Sequence, residues 1–156
     1  GKSDSALEAA ERVLRRGELF GIYPEGTRSR DGMLYKGHTG AARLALKVGC
    51  PIIPVGIIGT REIQPPDTFF PKIGLECSVK FGAPINVERY ADRPDDHLAW
   101  REITDEVMFE IRELSGQEYR NTYASKKPET LHAPTAVVSA QDNQGRNTPD
   151  LETSAP

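Results

Sequence analysis

The sequence predicts an α/β domain in which a sheet is flanked by helices. Segments with a helical spacing of apolar residues alternate with strand-like segments between residues 3 and 114. Two of the strand-like segments are continuous apolar runs, which indicate strands buried on both faces and therefore parallel pairing through crossover helices. The 156 residues fit one domain, and most of their apolar content precedes Leu114.

The first two elements lie in the N-terminal 24 residues. Residues 3–17 (SDSALEAAERVLRRG) predict a helix, because Leu7, Ala10 and Leu14 fall on one face and Gly17 suits the C-cap. The run LFGIY at residues 19–23 then predicts a short buried strand that ends before a proline.

The next three elements follow the same alternation. Residues 39–49 are rich in Ala and Leu and predict a helix that ends on a glycine. Residues 51–59 (PIIPVGIIG) predict a second buried strand, in which Pro54 indicates an edge position or a bulge. Residues 75–81 alternate apolar and polar side chains, so they predict a strand whose Leu75, Cys77, Val79 and Phe81 face the core.

The last element is an amphipathic helix over residues 95–114, where Trp100, Ile103, Val107, Ile111 and Leu114 recur at spacings of three and four. Residues 1–120 are therefore predicted to fold. Residues 121–156 are rich in Ser, Thr, Pro, Asn and Gln without periodicity, and predict a disordered tail.

Net charge, apolar runs and cysteine content indicate which kinds of partner and compartment to expect. The net charge of −3 gives no reason to expect a nucleic-acid partner. No apolar run approaches the roughly 18 residues of a membrane span. The two cysteines, Cys50 and Cys77, lie in apolar or strand-like stretches and are predicted to be buried free thiols of a protein in a reducing compartment.

Chemistry is concentrated in residues 25–29 (EGTRS), which follow the first predicted strand. Arg28 can give two charge-assisted bonds to a phosphate, and Thr27 and Ser29 can add hydroxyl donors. Gly26 lets the backbone approach a ligand closely, and Lys36 and Arg30 can enlarge the positive patch. Glu25 would orient Arg28 or accept a hydrogen bond from a substrate hydroxyl. The alternative is a plain surface turn in which Arg28 pairs with Glu25 or Asp31.

The segment YPEGTRS and its surroundings resemble the glycerolipid acyltransferases, the family of 1-acyl-sn-glycerol-3-phosphate acyltransferase. The resemblance covers about residues 3–87 and includes the pair Lys36 and Gly37 and the proline-bounded block at residues 51–55. It implies a partial glycerolipid-acyltransferase-like sheet flanked by helices and incomplete at its N-terminus. Residues 1–120 would then be the C-terminal part of the acyltransferase domain.

The resemblance also implies an activity. Gly26, Thr27, Arg28 and Ser29 would contact the acceptor phosphate with support from Glu25, and residues 51–55 would serve the acyl donor or simply form a core strand. The complete enzyme would move a fatty acyl group from acyl-CoA or acyl carrier protein to 1-acylglycerol-3-phosphate in phospholipid synthesis. It would need no metal or redox cofactor and would act at a membrane surface, on the cytoplasmic face.

One family feature is missing from this sequence. The family's catalytic base is the histidine of a histidine-x4-aspartate motif that precedes the arginine block, and residues 1–24 contain no histidine. His38 is followed five positions later by Arg43, whereas His97 precedes Glu102 but lies after the block. His132 falls in the predicted tail. We therefore expect no catalytic residue in this chain, which would be a truncated copy that is poorly stable and inactive alone.

Two other functions fit the same residues. A phosphate-binding or lysophospholipid-binding module without catalysis would use the Arg28 loop in the same way. A family member with another acceptor, such as dihydroxyacetone phosphate, glycerol 3-phosphate or a lipid sugar, would also use it, because the loop serves any phosphate-bearing acceptor.

Overall fold

The computed structural model describes the backbone of residues 2–125 and the side chains of residues 5–125. Four α-helices and four short strands alternate along these residues, with one 3-10 turn at Glu88–Tyr90. In chain order they are α1 (Lys2–Arg15), β1 (Leu34–Tyr35), α2 (Gly40–Val48), β2 (Val55–Ile58), α3 (Thr60–Ile63), β3 (Ser78–Phe81), α4 (His97–Ser115) and β4 (Tyr119–Arg120).

The core lies between α2 and α4. Small residues of α2 pack against the long buried face of α4, and the segment that precedes the 3-10 turn closes the cluster. The buried members are Ala42, Ala45, Leu46, Ile85, Val87, Ala99, Trp100, Ile103 and Val107. The structure confirms α2, which the Ala and Leu content and the final glycine had predicted, and α4, whose buried face the helical spacing of apolar residues had predicted.

Helix α4 has clear signals at both ends. The Asp96 side chain caps the N-terminus by accepting a hydrogen bond from the Leu98 amide, and Gly116 ends the helix in a left-handed conformation at φ 73°. Gly49 ends α2 in the same way at φ 76°. Local residues therefore set the lengths of both core helices.

The strands form two small sheets rather than one parallel sheet. β1 pairs with β4 in parallel, whereas β2 pairs with β3 in antiparallel register from Val55 opposite Phe81 to Ile58 opposite Ser78. The predicted parallel pairing of the apolar strands is therefore wrong for β2. A direct antiparallel return became possible because the chain turns back through residues 64–77 without a crossover helix.

The block at residues 51–55 is mostly structural. Ile52 forms an isolated antiparallel bridge with Ile85, and their amides and carbonyls exchange bonds of 3.0 and 2.8 Å. Pro54 is fully buried, and the regular strand begins only at the residue after it. The proline therefore shortens the predicted strand at its N-terminal side, as its missing amide donor requires.

The predicted strand at residues 19–23 is wrong. These residues adopt no regular structure, and Leu19 and Tyr23 are 92% and 77% exposed. A strand is stable only when another strand accepts its backbone hydrogen bonds, and none of the described residues lies beside this segment as a strand.

β3 also departs from its predicted burial. All four residues of the strand are exposed, including Val79 and Phe81, and Cys77 just before it is exposed as well. Cys50 is half-buried, so neither cysteine is the fully buried thiol that the sequence predicted, although both are free. The alternating pattern identified the strand but not its burial, because no second layer of the described residues covers that face.

The predicted tail at residues 121–156 begins inside the described region. Residues 121–125 form no helix or strand, but the Thr122 carbonyl accepts a 3.0 Å bond from the Lys36 amide and Tyr123 stacks on His38. Residues 126–156 lie outside the described residues.

Candidate functional site

The candidate site is the loop at residues 24–38, which contains the EGTRS motif and leads through β1 towards α2. Two hydrogen bonds close its base. The His38 amide donates to the Pro24 carbonyl at 2.8 Å, and the Tyr35 amide donates to the Glu25 Oε2 carboxylate oxygen at 2.8 Å. The loop is therefore tied to itself across 10 to 14 positions, and Glu25 is one of its two clamps.

Glu25 thus has a structural role that the sequence did not suggest. Its carboxylate holds the β1 backbone, and Arg28 is directed elsewhere, so the prediction that Glu25 orients Arg28 is wrong. Burial raises the pKa of Glu25 above its ordinary value of 4.5, which outweighs the opposing effect of the Tyr35 amide. The nearby Asp31 carboxylate also raises it.

Gly26 is required by a close contact as well as by its backbone. It has a left-handed conformation at φ 71°, and a Cβ atom there would lie 3.2 Å from Cδ2 of His38. The His38 ring stacks on Tyr123 with 4.6 Å between ring centroids and 11° between planes. The Lys36 ammonium lies 5.7 Å from the centroid of the same Tyr123 ring.

Ser29 and Asp31 build the turn that follows the motif. The Ser29 hydroxyl donates to Asp31 Oδ1 at 3.1 Å and accepts from the Gly32 amide at 3.0 Å. Asp31 also accepts a 2.8 Å bond from the Tyr35 hydroxyl and a 3.1 Å bond from the Met33 amide. Burial alone would raise the pKa of Asp31, but the hydrogen bonds outweigh it and lower the pKa below its ordinary value of 3.8.

Arg28 is exposed and points away from the turn. Its Nη2 donates to the Pro66 carbonyl at 3.1 Å, so it pairs with neither Glu25 nor Asp31 as the plain-turn alternative had required. Arg30 forms a two-pronged ion pair with Asp67 at 3.0 and 3.1 Å. Both arginines therefore lie against residues 65–67, 37 and 38 positions further along the chain.

Lys36 and Gly37 connect the loop to the core. Gly37 is buried, and a Cβ there would lie 2.8 Å from Sδ of Met108 on α4. The Gly37 carbonyl accepts a 2.8 Å bond from Arg101 on the same helix. The glycine after Lys36 thus lets the loop approach α4 closely, which fixes the backbone from which Lys36 projects.

The predicted site residues are brought together only in part. Gly26 and Lys36 share the His38 and Tyr123 rings, Arg28 lies against Pro66, and the Ser29 hydroxyl proton is used by Asp31. Thr27 is half-buried. The sequence had not indicated His38, Tyr123 or residues 65–67 as neighbours of the motif. Only the position of His38, directly after the Lys36 and Gly37 pair, could have pointed to it.

The two described histidines lack the geometry of an acid–base pair. His97 and Glu102 are five positions apart on α4, which separates their side chains by roughly 140° around the helix. The His97 ring packs instead on the edge of Trp100 at 4.4 Å. His38 stacks on an aromatic ring and has an arginine at the fifth position. Among residues 5–125, none of the histidines therefore has the carboxylate partner that a general base of this type uses.

The arrangement suits the binding of an anion. An exposed guanidinium with one N–H engaged still has other donors for phosphate oxygens, and Thr27 offers a hydroxyl beside it. Helices and short sheets that support such a loop define an α/β domain with a candidate anion-binding loop.

Comparisons with known proteins agree with this class. The family model described as Acyltransferase matches residues 1–58. A 1-acyl-sn-glycerol-3-phosphate acyltransferase of Limnanthes douglasii is 32% identical over 125 residues, which cover 79% of this chain and 40% of the relative. One of Borreliella burgdorferi is 42% identical over 98 residues, which cover 62% of this chain and 39% of the relative.

A solved structure matches as well. The crystal structure of the 1-acyl-sn-glycerophosphate (LPA) acyltransferase PlsC from Thermotoga maritima superimposes with a TM-score of 0.53 at 29% identity, over 70% of this chain and 42% of that one. Over the region that these comparisons cover, the chain is similar to glycerolipid acyltransferases. It spans about two-fifths of the length of these relatives.

The helices of the described residues do not include a membrane span. Within residues 2–125 none combines the length and the apolar character that crossing a bilayer requires. The longest, α4, has 19 residues and carries charged side chains along its outer face.

Proposed function

We propose that this chain is the acceptor-binding part of an acyltransferase that moves a fatty acyl group to the hydroxyl of 1-acylglycerol-3-phosphate in phospholipid synthesis. The observation that carries the proposal is the exposed Arg28 guanidinium in a self-clamped loop, within a chain that is similar to glycerolipid acyltransferases. Acyl-CoA or acyl carrier protein would supply the acyl group. The substrates are lipids, so the protein would work on a membrane surface, at the cytoplasmic face.

In this proposal the phosphate lies beside residues 26–29. Arg28 supplies charge-assisted hydrogen bonds, Thr27 adds a hydroxyl donor, and the glycine at position 26 leaves the backbone accessible. Lys36 adds positive charge on the Tyr123 side of the loop. Glu25 and Ser29 act one step further out, because their hydrogen bonds hold the loop that presents Arg28.

The reaction requires a base as well as this site. The acceptor hydroxyl attacks the thioester carbonyl, its proton passes to the base, and the thiolate of the donor leaves as the new ester forms. No oxidation state changes, so the proposed reaction needs no redox cofactor, and the proposal includes no metal. Because no described histidine has a carboxylate partner, we propose that this chain binds the acceptor and does not turn it over alone.

An acyl-transfer assay tests the proposal directly. This chain and the longest native polypeptide that contains it would each receive oleoyl-CoA and lysophosphatidic acid, and release of free CoA would be followed. Activity in the longer polypeptide alone is the expected result. Activity of this chain by itself would contradict the proposal that it binds the acceptor without catalysing the transfer. Activity in neither, with phosphate binding retained, would indicate a binding module without catalysis.

Replacing the key cation tests the site itself. Arg28→Ala in the active polypeptide removes a charge-assisted contact worth about 1.5–3 kcal/mol, so the KM for lysophosphatidic acid is expected to rise by about 10- to 100-fold. Arg89→Ala is the matched control, because that arginine pairs with Glu106 away from the loop. An unchanged KM in Arg28→Ala, or an equal rise in the control, would remove Arg28 from the site.

A further inference from the structure

The connection between α3 and β3 presents an unusual group of exposed side chains. Phe69, Phe70 and Ile73 are 89%, 79% and 100% exposed, although they lie within five consecutive residues. Single exposed apolar residues are ordinary, but large ones in a contiguous group mark interaction surfaces. We call residues 67–73 the FF loop.

The FF loop is held in place by hydrogen bonds at both ends. The Thr68 amide and hydroxyl both donate to the Pro65 carbonyl, at 3.0 and 2.8 Å, and the Lys72 amide donates to the Ile63 carbonyl at 2.7 Å. Within the loop the two phenyl rings pack edge to face with 5.3 Å between centroids. The apolar tip is therefore a defined feature.

The same loop is attached to the candidate phosphate site. Asp67 is the ion-pair partner of Arg30, and the carbonyl of the preceding Pro66 accepts the hydrogen bond from Arg28. Phe69 follows Pro66 by only three residues. The segment that carries the phenyl rings therefore also accepts the Arg28 hydrogen bond.

The composition of the loop fits a lipid surface better than a protein strand. Prolines at positions 65, 66 and 71 have no amide donor, so the segment cannot extend a sheet with a partner. Lys72 is the only charged residue between Thr68 and Ile73. With the α3 segment and the arginines at its base, the loop carries two more positive than negative charges, from Arg28, Arg30, Arg61, Lys72, Glu62 and Asp67. Aromatic rings beside basic residues are typical of segments that bind anionic bilayers.

We propose that the FF loop is a membrane-docking element that places Phe69, Phe70 and Ile73 in the interfacial layer of an anionic bilayer and Lys72 at the headgroups. Docking of this kind would hold the Arg28 loop at headgroup level, where a lysophospholipid presents its phosphate. Only this placement of the Arg28 loop rests on the proposed function, since the docking itself depends on the FF loop alone.

Vesicle binding tests the proposal on the full 156-residue chain. The probe is a vesicle of one part phosphatidylglycerol to two parts phosphatidylcholine, and bound protein is measured by co-sedimentation. The double variant Phe69→Ser/Phe70→Ser is expected to bind about tenfold or more weakly, because two phenyl groups leave the interface. The control is Phe109→Ser, since Phe109 lies on α4 and is 55% exposed. Absence of vesicle binding by the unmodified chain, or equal losses in both variants, would overturn the proposal.

A second variant keeps an aromatic ring at position 70 and reports how deeply that ring enters the bilayer. Phe70→Trp is expected to lose fluorescence in vesicles with brominated acyl chains, whereas Phe109→Trp is not, and the buried Trp100 gives a constant background in both. Equal quenching of the two would contradict docking through the FF loop. The proposal would also be contradicted if the double variant lost self-association of the chain but still bound vesicles.

Failure of this proposal can be distinguished from failure of the proposed function. Binding of glycerol 3-phosphate in solution needs no bilayer, so the double variant is expected to bind it as the unmodified chain does. If neither chain binds glycerol 3-phosphate, the phosphate site is refuted and the docking result still stands. If the unmodified chain and the double variant both bind glycerol 3-phosphate and bind vesicles equally, only the membrane-docking role of the FF loop is refuted.

Discussion

Ile103 on α4 is fully buried, whereas Ile73, in the FF loop that leads into β3, is 100% exposed. The two residues represent two regions. In the helical region, α2 and α4 cover each other and enclose a continuous apolar cluster. In the ribbon of β2 and β3, both edges and one face have no cover among the described residues, and Val79 and Phe81 face outward. In the helical region the apolar side chains are buried and stabilise the fold. In the ribbon they are exposed and could contact a partner molecule or surface.

One substitution made in both regions gives the largest expected effect. Ile103→Ala removes a fully buried side chain and leaves a cavity, so the free energy of unfolding is expected to fall by about 2–5 kcal/mol. Ile73→Ala is the matched control and is expected to change it by at most about 0.5 kcal/mol. Urea unfolding of both variants measures the difference.

Ile103→Val serves if the alanine variant does not fold, with an expected loss of about 0.5–1.5 kcal/mol. A cost at Ile73 equal to that at Ile103 would break the comparison. It would mean that the FF loop is buried in solution.

A pair of glycines tests how closely the candidate loop packs on the helical region. Gly37→Ala would place a methyl group 2.8 Å from Met108 Sδ and is expected to cost about 1–3 kcal/mol through overpacking. Gly40→Ala, at the start of α2, meets Leu7 only at 3.7 Å and is expected to be neutral or slightly stabilising.

Thermal unfolding of the two variants measures both effects. If Gly37→Ala were as harmless as Gly40→Ala, the loop would be loosely attached to α4. The site would then belong with the open ribbon rather than with the core.

The smallest expected effect is a pH dependence within the loop. Because burial raises the pKa of Glu25 above 4.5, the folded chain keeps a proton that the unfolded chain has already released. The contribution of Glu25 to the free energy of unfolding therefore falls as the pH rises from about 4.5 through the raised pKa. Glu25→Gln keeps an oxygen for the Tyr35 amide and is expected to remove this decline.

Asp31 supplies the contrast. Its pKa is lowered, so the folded chain releases that proton first, and the contribution of Asp31 is lost as the pH falls below 3.8 towards the lowered pKa. Asp31→Asn is expected to remove a loss of stability at acid pH, the opposite slope. Urea midpoints from about pH 3 to about pH 7 distinguish the two carboxylates. If stability changed with pH in the same way in Glu25→Gln and Asp31→Asn, the two carboxylates would be equally solvated.

The sequence predicted the helices well because their signals are local. The spacing of apolar residues in α4 and the glycine after α2 predicted the bounds of the two helices to within about two residues. The strands were predicted less well, since a strand depends on partners that are distant in the chain. Residues 19–23 have no such partner among the described residues, and β3 found an antiparallel one in β2.

The candidate site divides in the same way. The motif at residues 25–29 was evident from residue types and from the family resemblance. Its neighbours were not, because Pro66 and Asp67 lie 37 to 38 positions away and Tyr123 lies in a segment predicted to be disordered. The alternating pattern at residues 75–81 likewise gave the strand without indicating that its apolar face is open.

The pairing of β1 with β4 has a consequence for the order in which the chain is synthesised. The motif leaves the ribosome early, but its supports are made late: Gln117 bonds to the Gly32 carbonyl 85 positions before it, and the Lys36 amide bonds to Thr122. Contacts of such long range form slowly. A nascent chain that stops before residue 122 would carry every residue of the motif, yet it would lack the backbone partner of Lys36 and the ring on which His38 stacks.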